Sequence, residues 1–145
     1  MKTTPSAPLS RHLSLKPAAG KPRNPTSYLL AGAACVNAGD LSGLRKLLPQ
    51  VRKKSAAITD SMRLRRRIEV LADYFQDSPA GASPAQREVA FVLYYFLKGY
   101  DFIPDSIPEI GLLDDALLVE SVLLRNQHVL CSHWAARRRA WPENI

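Results

Sequence analysis

Four aspartates stand in one short run, Asp101, Asp105, Asp114 and Asp115, set among Pro104, Pro108 and Gly111 in a stretch that is otherwise largely apolar. Hard cations such as Mg²⁺, Mn²⁺ and Ca²⁺ take several oxygen ligands, so these four are the candidate metal ligands of the chain. The EF-hand order, with its glycine and distal bidentate glutamate, is absent. In the competing reading the aspartates latch a loop and cap the helix after it. Asp114 and Asp115 then sit in that helix's first turn, where each meets the helix dipole favourably by ~0.3–1 kcal/mol. The structural reading is preferred, because a metal-assisted hydrolase also needs an open coordination site and a base, which spacing alone does not supply.

Other chemistry has less support. His128 and His133 are five apart, off the common face of an i, i+4 pair, and with Cys131 they make at most a zinc fragment. Cys35 and Cys131 form no CxxC pair, and no serine or cysteine has a nucleophile-elbow context. No catalytic residue is assigned, and no cofactor is expected beyond a candidate divalent cation. A second constellation is basic: Arg45, Lys46, Arg52, Lys53, Lys54, Arg63, Arg65, Arg66 and Arg67, with Arg137, Arg138 and Arg139 near the end. Such a cluster can track phosphates on nucleic acid, meet anionic lipid, or be a solvated helix flank eased by Arg65 and Glu69 at i, i+4. Tyr94, Tyr95, Phe96 and Tyr100 could stack bases, but their helix is apolar all round and is better read as buried.

The charge distribution sharpens both constellations. The chain has 145 residues and a formal charge of +7. Fourteen Lys or Arg precede position 68 against only Asp40 and Asp60, whereas Asp101 to Glu120 holds six acids and no base. A basic half and an acidic focus imply an anionic partner for the first, whether protein, nucleic acid or membrane surface. Two distant cysteines fit a reducing cytoplasm. No run reaches the roughly 18 apolar residues of a bilayer span, and no uninterrupted apolar leader is present, so the expected placement is cytoplasmic or peripheral to a membrane. The acid-free first 39 residues have transit-peptide composition, but Pro5, Pro8, Pro17, Pro22 and Pro25 oppose the amphipathic helix such a peptide needs.

The elements that position these residues are all helical. Residues 1–26 read as a flexible basic arm rich in Pro and Ser; if ordered, it must be held by a partner or by the domain surface. Residues 27–145 read as one helical domain. A small-residue helix starts at Ser27 and ends near Asn37 to Gly39. Asp40 caps a second helix, with Leu41, Leu44, Leu47 and Leu48 inward and Pro49 stopping or kinking it. Thr59 or Asp60 caps a third with the stripe Leu64, Ile68, Leu71 and Phe75. Ser83-Pro84-Ala85-Gln86 is a capping box with proline at the first helical position, and it opens the predicted central helix, which Gly99 ends. Leu112 or Leu113 opens the next, running to about Arg125 with Leu113, Ala116, Leu117, Leu123 and Leu124 inward. The last runs from about Gln127 to Arg139, with Val129, Leu130 and Trp134 on one side. The fold class is all-α, a compact bundle of five or six helices with a proline-rich loop joining two buried helices.

At Asp101, Ile103, Pro104, Asp105, Ile107, Pro108, Gly111, Asp114 and Asp115 the chain resembles the YkvA-like family, or DUF1232 domain. Its hallmark approximates D-x-I-P-D-x-I-P-x-x-G-x-x-D-D after an aromatic helix. The resemblance covers roughly residues 84–124. It implies a small helical module, found alone or fused to other domains and in some members beside membrane segments. It brings no established catalytic activity and no agreed cofactor.

The leading functional expectation is therefore a non-catalytic interaction or accessory module that docks a protein through its acidic loop or basic N-terminal half. The docking motif would be Asp101, Pro104, Asp105, Pro108, Gly111, Asp114 and Asp115. The alternatives are a divalent-metal-dependent phosphoesterase with the four aspartates as ligands, and a peripheral nucleic-acid or anionic-membrane binder using the basic helices.

Overall fold

A computed structural model describes residues 5–13, 25–59, 61–78, 83–101, 108–142 and 145, with the backbone alone for 13, 25, 98–101 and 108–115. Seven helices and no strand occur among the described residues: α1 (Ala7–Leu13), α2 (Pro25–Ala34), α3 (Ala38–Ala56), α4 (Met62–Asp77), α5 (Pro84–Asp101), α6 (Pro108–Arg125) and α7 (Gln127–Ala136). The all-α expectation holds.

The centre is α5, which packs on α2, α3, α4 and α6. Ser83 opens it, its hydroxyl accepting from the Gln86 N–H at 3.2 Å, with Pro84 at the first helical position where a missing N–H costs nothing. Every residue from Val89 to Tyr94, then Phe96 and Leu97, is buried, which is why no polar side shows in the sequence. Burying each of the larger side chains contributes ~1.5–3 kcal/mol. Helix α4 lays the expected stripe Leu64, Ile68, Leu71 and Phe75 into the same core. Where α2 crosses α5, Gly32 lets the backbone come so near Phe91 that a Cβ there would lie 2.3 Å from the ring.

Several boundaries differ from the sequence reading, each for a local reason. The cap of α3 is Asn37, not Asp40. The Asn37 side chain accepts from the Asp40 N–H, and the Asp40 carboxylate accepts from the Asn37 N–H, a reciprocal capping box. Helix α3 runs on through Pro49 to Ala56, with Pro49 on the exposed side. Ser61 rather than Thr59 caps α4, its hydroxyl accepting from the Leu64 N–H. Helix α5 continues past Gly99 to Asp101, since one interior glycine costs only ~1 kcal/mol relative to alanine. Helix α6 begins at Pro108, one turn before Leu112, because proline suits the first helical position. Asp114 and Asp115 therefore fall in its second turn rather than its first. Leu117 and Leu124 face outward while Leu118, Val119, Val122 and Leu123 are buried, and on α7 Val129 is exposed beside buried Leu130 and Trp134. Helix α7 itself stops at Ala136, short of Arg139.

Within the stretch read from sequence as the arm, Ala7–Leu13 form α1, which is additional to the five or six expected helices and seats Leu9 fully inside the core. Ser6 donates both its N–H and its hydroxyl to the buried Asp40 carboxylate, each at 2.7 Å. His12 stacks on Tyr28 at 4.4 Å between ring centroids, and the Tyr28 hydroxyl donates to the His12 carbonyl.

Candidate docking face

Helices α3 and α4 run antiparallel, so the last turn of one and the first of the other share an end of the bundle. Ser55 Oγ donates to the Arg65 carbonyl at 3.3 Å, and Lys54 Nζ donates to the Phe96 carbonyl near the end of α5. The opposite end is fixed by Glu88 at the start of α5, which accepts from Arg125 at the end of α6 at 2.9 Å. The closing turn of α5, bearing Asp101, and the opening turns of α6, bearing Asp114 and Asp115, thus belong to the end where Lys53 and Arg63 to Arg67 stand. The side chains of Asp101, Pro108, Gly111, Asp114 and Asp115, and all of Pro104 and Asp105, lie outside the described residues.

The basic cluster divides into two sets. One is engaged within the fold. Arg45 donates to the Gln76 and Ser78 carbonyls at 3.4 and 3.0 Å, closing the C-terminal end of α4, and its guanidinium lies 5.0 Å from the Phe75 ring centre. Arg52 bonds Asp73 at 2.9 Å and Gln76 Oε1 at 2.6 Å. Lys54 adds a cation–π contact with Phe96 to its carbonyl bond. Arg65 pairs with Glu69 at 3.3 Å, the i, i+4 bridge expected from sequence. The other set, Lys46, Lys53 and Arg63, is exposed on α3 and α4. Arg67 is half-buried, and its Nε has no hydrogen-bond partner among the described residues.

Two of the C-terminal arginines also turn inward. Arg137 donates to the Asp77 carbonyl at 2.6 Å, and Arg139 reaches Asp73 at 3.4 Å and Asp77 at 3.6 Å with its guanidinium over Trp134. They clamp the end of α4 instead of extending the outward positive face. Nearby, the Arg137 guanidinium can only donate, so His133 Nδ1 accepts at 3.1 Å and the ring proton sits on Nε2, which is buried. Burial first, then the Arg137 charge, holds the His133 imidazole below its ordinary value, with Asp77 pulling the other way. His128 is exposed on α7 and Cys131 half-buried, and no group of three metal-ligating side chains occurs among the described residues.

The aromatic run packs as a core. Tyr94 and Phe96 are buried, and Tyr95 meets Tyr28 edge-on at 5.7 Å. The Tyr94 hydroxyl donates to the Asp40 carbonyl at 2.7 Å, and burial together with the Asp40 charge pushes its ionisation upward. Tyr100 lies outside the described side chains. Among the described residues no helix is long and apolar enough to cross a membrane.

A stretch that includes most of α5 and α6 is similar to a known family. Residues 88–120 match the model of the family described as "Protein of unknown function (DUF1232)". The likeness begins at Glu88, the buried carboxylate that pins the far end of the helix pair, and spans the aspartates. No curated protein and no solved structure matches the chain. Sequence reasoning passed over Glu88, although a carboxylate within an apolar run signals a buried partner. It also missed the Ser6–Asp40 and His12–Tyr28 contacts, for which local sequence carries no signal.

Proposed function

We propose that this DUF1232-like chain is a non-catalytic interaction module that docks a protein through the face of α3 and α4. The observation that carries this reading is the division of the basic cluster: Arg45, Arg52, Lys54 and Arg65 brace the bundle, while Lys46, Lys53 and Arg63 stand exposed. Exposed cations add to self-repulsion in a chain of charge +7 and gain most from an anionic partner. A protein fits better than a phosphate polymer. The positive end of the face shares the bundle end with the helix turns bearing Asp101, Asp114 and Asp115. Carboxylates repel phosphate, whereas a protein surface of mixed charge can match both signs.

The test uses the full chain as bait in extracts of its native host, beside a Lys46→Glu, Lys53→Glu, Arg63→Glu triple variant. Retention of one stoichiometric protein, weakened by salt and lost in the variant, supports the reading. Retention of nucleic acid, or co-sedimentation with anionic vesicles and no protein, moves the assignment to the peripheral binder. Divalent-dependent phosphoester hydrolysis lost on Asp114→Asn and Asp115→Asn moves it to the metal enzyme, with Asp101 and Asp105 completing the ligand set.

A further inference from the structure

The seat of α1 has the anatomy of a helix-binding groove. Its floor comes from three helices: Tyr28 of α2, Asp40 of α3, and Phe91 and Tyr95 of α5. Asp40 is only 3% exposed, and of its three described donors two come from Ser6 and one from Asn37. Leu9, three residues on, is fully buried. His12, three further, lies on Tyr28 and tilts toward Phe91 at 5.4 Å. The hydroxyl just ahead of the helix and the leucine and ring within it thus recur at three-residue spacing along one side of a single short segment.

That helix is poorly equipped to form alone. It has seven residues, below the dozen or more that isolated helices need. Residues 14–24 separate it from α2 in sequence, a length of roughly 35–40 Å at full extension. Helix α1 is held by what the groove recognises, and any helix presenting the same three groups meets the same donors, acceptor and rings.

We propose that α1 is an exchangeable occupant of this groove, and that a protein partner enters it with a helix carrying a serine or threonine, a leucine three residues later and a flat ring three beyond that. The inference rests on the reading of the chain as a protein-docking module. It adds a second contact site, recognised by shape and a buried carboxylate, to the charged face of α3 and α4.

A fluorescent peptide of residues 5–13 stands in for the partner helix, with full chains as receptors. In the wild-type chain the resident α1 reduces the competent fraction, so the Leu9→Asp chain should bind the peptide about tenfold more tightly or better. A peptide bearing its own Leu9→Asp should not bind, and Asp40→Asn in the receptor should abolish binding. If the Leu9→Asp chain loses its cooperative melt, the milder Ser6→Ala chain carries the comparison. Equal affinity for the wild-type and released chains overturns the proposal. So do α1 amides that exchange as slowly as those of α5, since exchange then requires global opening. Charge reversal at Lys46, Lys53 and Arg63 leaves peptide binding intact, so failure of the electrostatic reading and failure of the groove are told apart.

Discussion

Glu88 and Arg125 close the same end of the bundle from opposite helices, Arg125 Nε donating to Glu88 Oε1 at 2.9 Å while the buried Asn126 amide donates to the same oxygen at 3.1 Å. The bond from Glu88 raises Arg125 above its ordinary value, so the guanidinium stays charged through neutral pH. The arginine is 38% exposed and solvent screens its share, leaving the buried carboxylate as the costly member to remove. Glu88→Ala should lose ~1–3 kcal/mol in urea unfolding. Glu88→Gln, which keeps an acceptor for Asn126, should lose less. Equal losses would show that packing, not hydrogen bonding, holds this end.

Gly32→Ala sets two effects against each other. Alanine gains ~1 kcal/mol of helix propensity, but its Cβ would fall 2.3 Å from the Phe91 ring in a packed core. Overpacking costs ~1–3 kcal/mol, so the net change should be destabilising. Pairing it with Phe91→Leu should recover part of the loss relative to the sum of the single changes, as read by a double-mutant cycle. Additive losses would contradict the contact.

The pH dependence at His133 has a defined sign. Its folded-state value lies below the ordinary 6.5, so below that pH the unfolded chain binds the extra proton first. Stability from the neutral ring is complete above about 6.5 and declines as pH falls toward the folded value. Protonating Nδ1 would also set a cation against Arg137. Urea midpoints at pH 7.5 and 5.0 should differ more for the wild type than for His133→Gln, and an unchanged difference would refute the assignment.

Arg45 and Lys53 separate bracing from display. Arg45→Ala removes two bonds to the end of α4 and a cation–π contact, and should lower stability by ~1–2 kcal/mol. Lys53→Ala on the exposed side should stay within ~0.5 kcal/mol while weakening association with the partner. Similar thermal shifts for the two would erase the distinction on which the docking face depends.

Legibility from sequence followed the number of faces a helix hides. Helix α4 buries one arc, so Leu64, Ile68, Leu71 and Phe75 announced it. Helix α6 is apolar nearly all round, so periodicity could not choose between Leu117 and Leu118, and only packing against α2 and α5 decides. Helix α1 was hidden because its ties are remote: Ser6 meets Asp40 across 34 positions. The docking face was half legible. Charges can be counted in a sequence, but the acceptors that engage Arg45 and Lys54 are main-chain carbonyls of distant turns, invisible to composition.

Pro49 gives α3 a seam. Without an N–H it leaves the helical bond to the Arg45 carbonyl unmade, midway between a first half tied to α1 through Asp40 and a second half tied to α5 through Lys54. Both halves are also anchored to the same two helices, to α4 through Arg45 and Arg52 and to α5 through the Asp40 carbonyl and Lys54. The missing rung is thus splinted from outside, and α3 stays one continuous helix across it because its neighbours hold both sides.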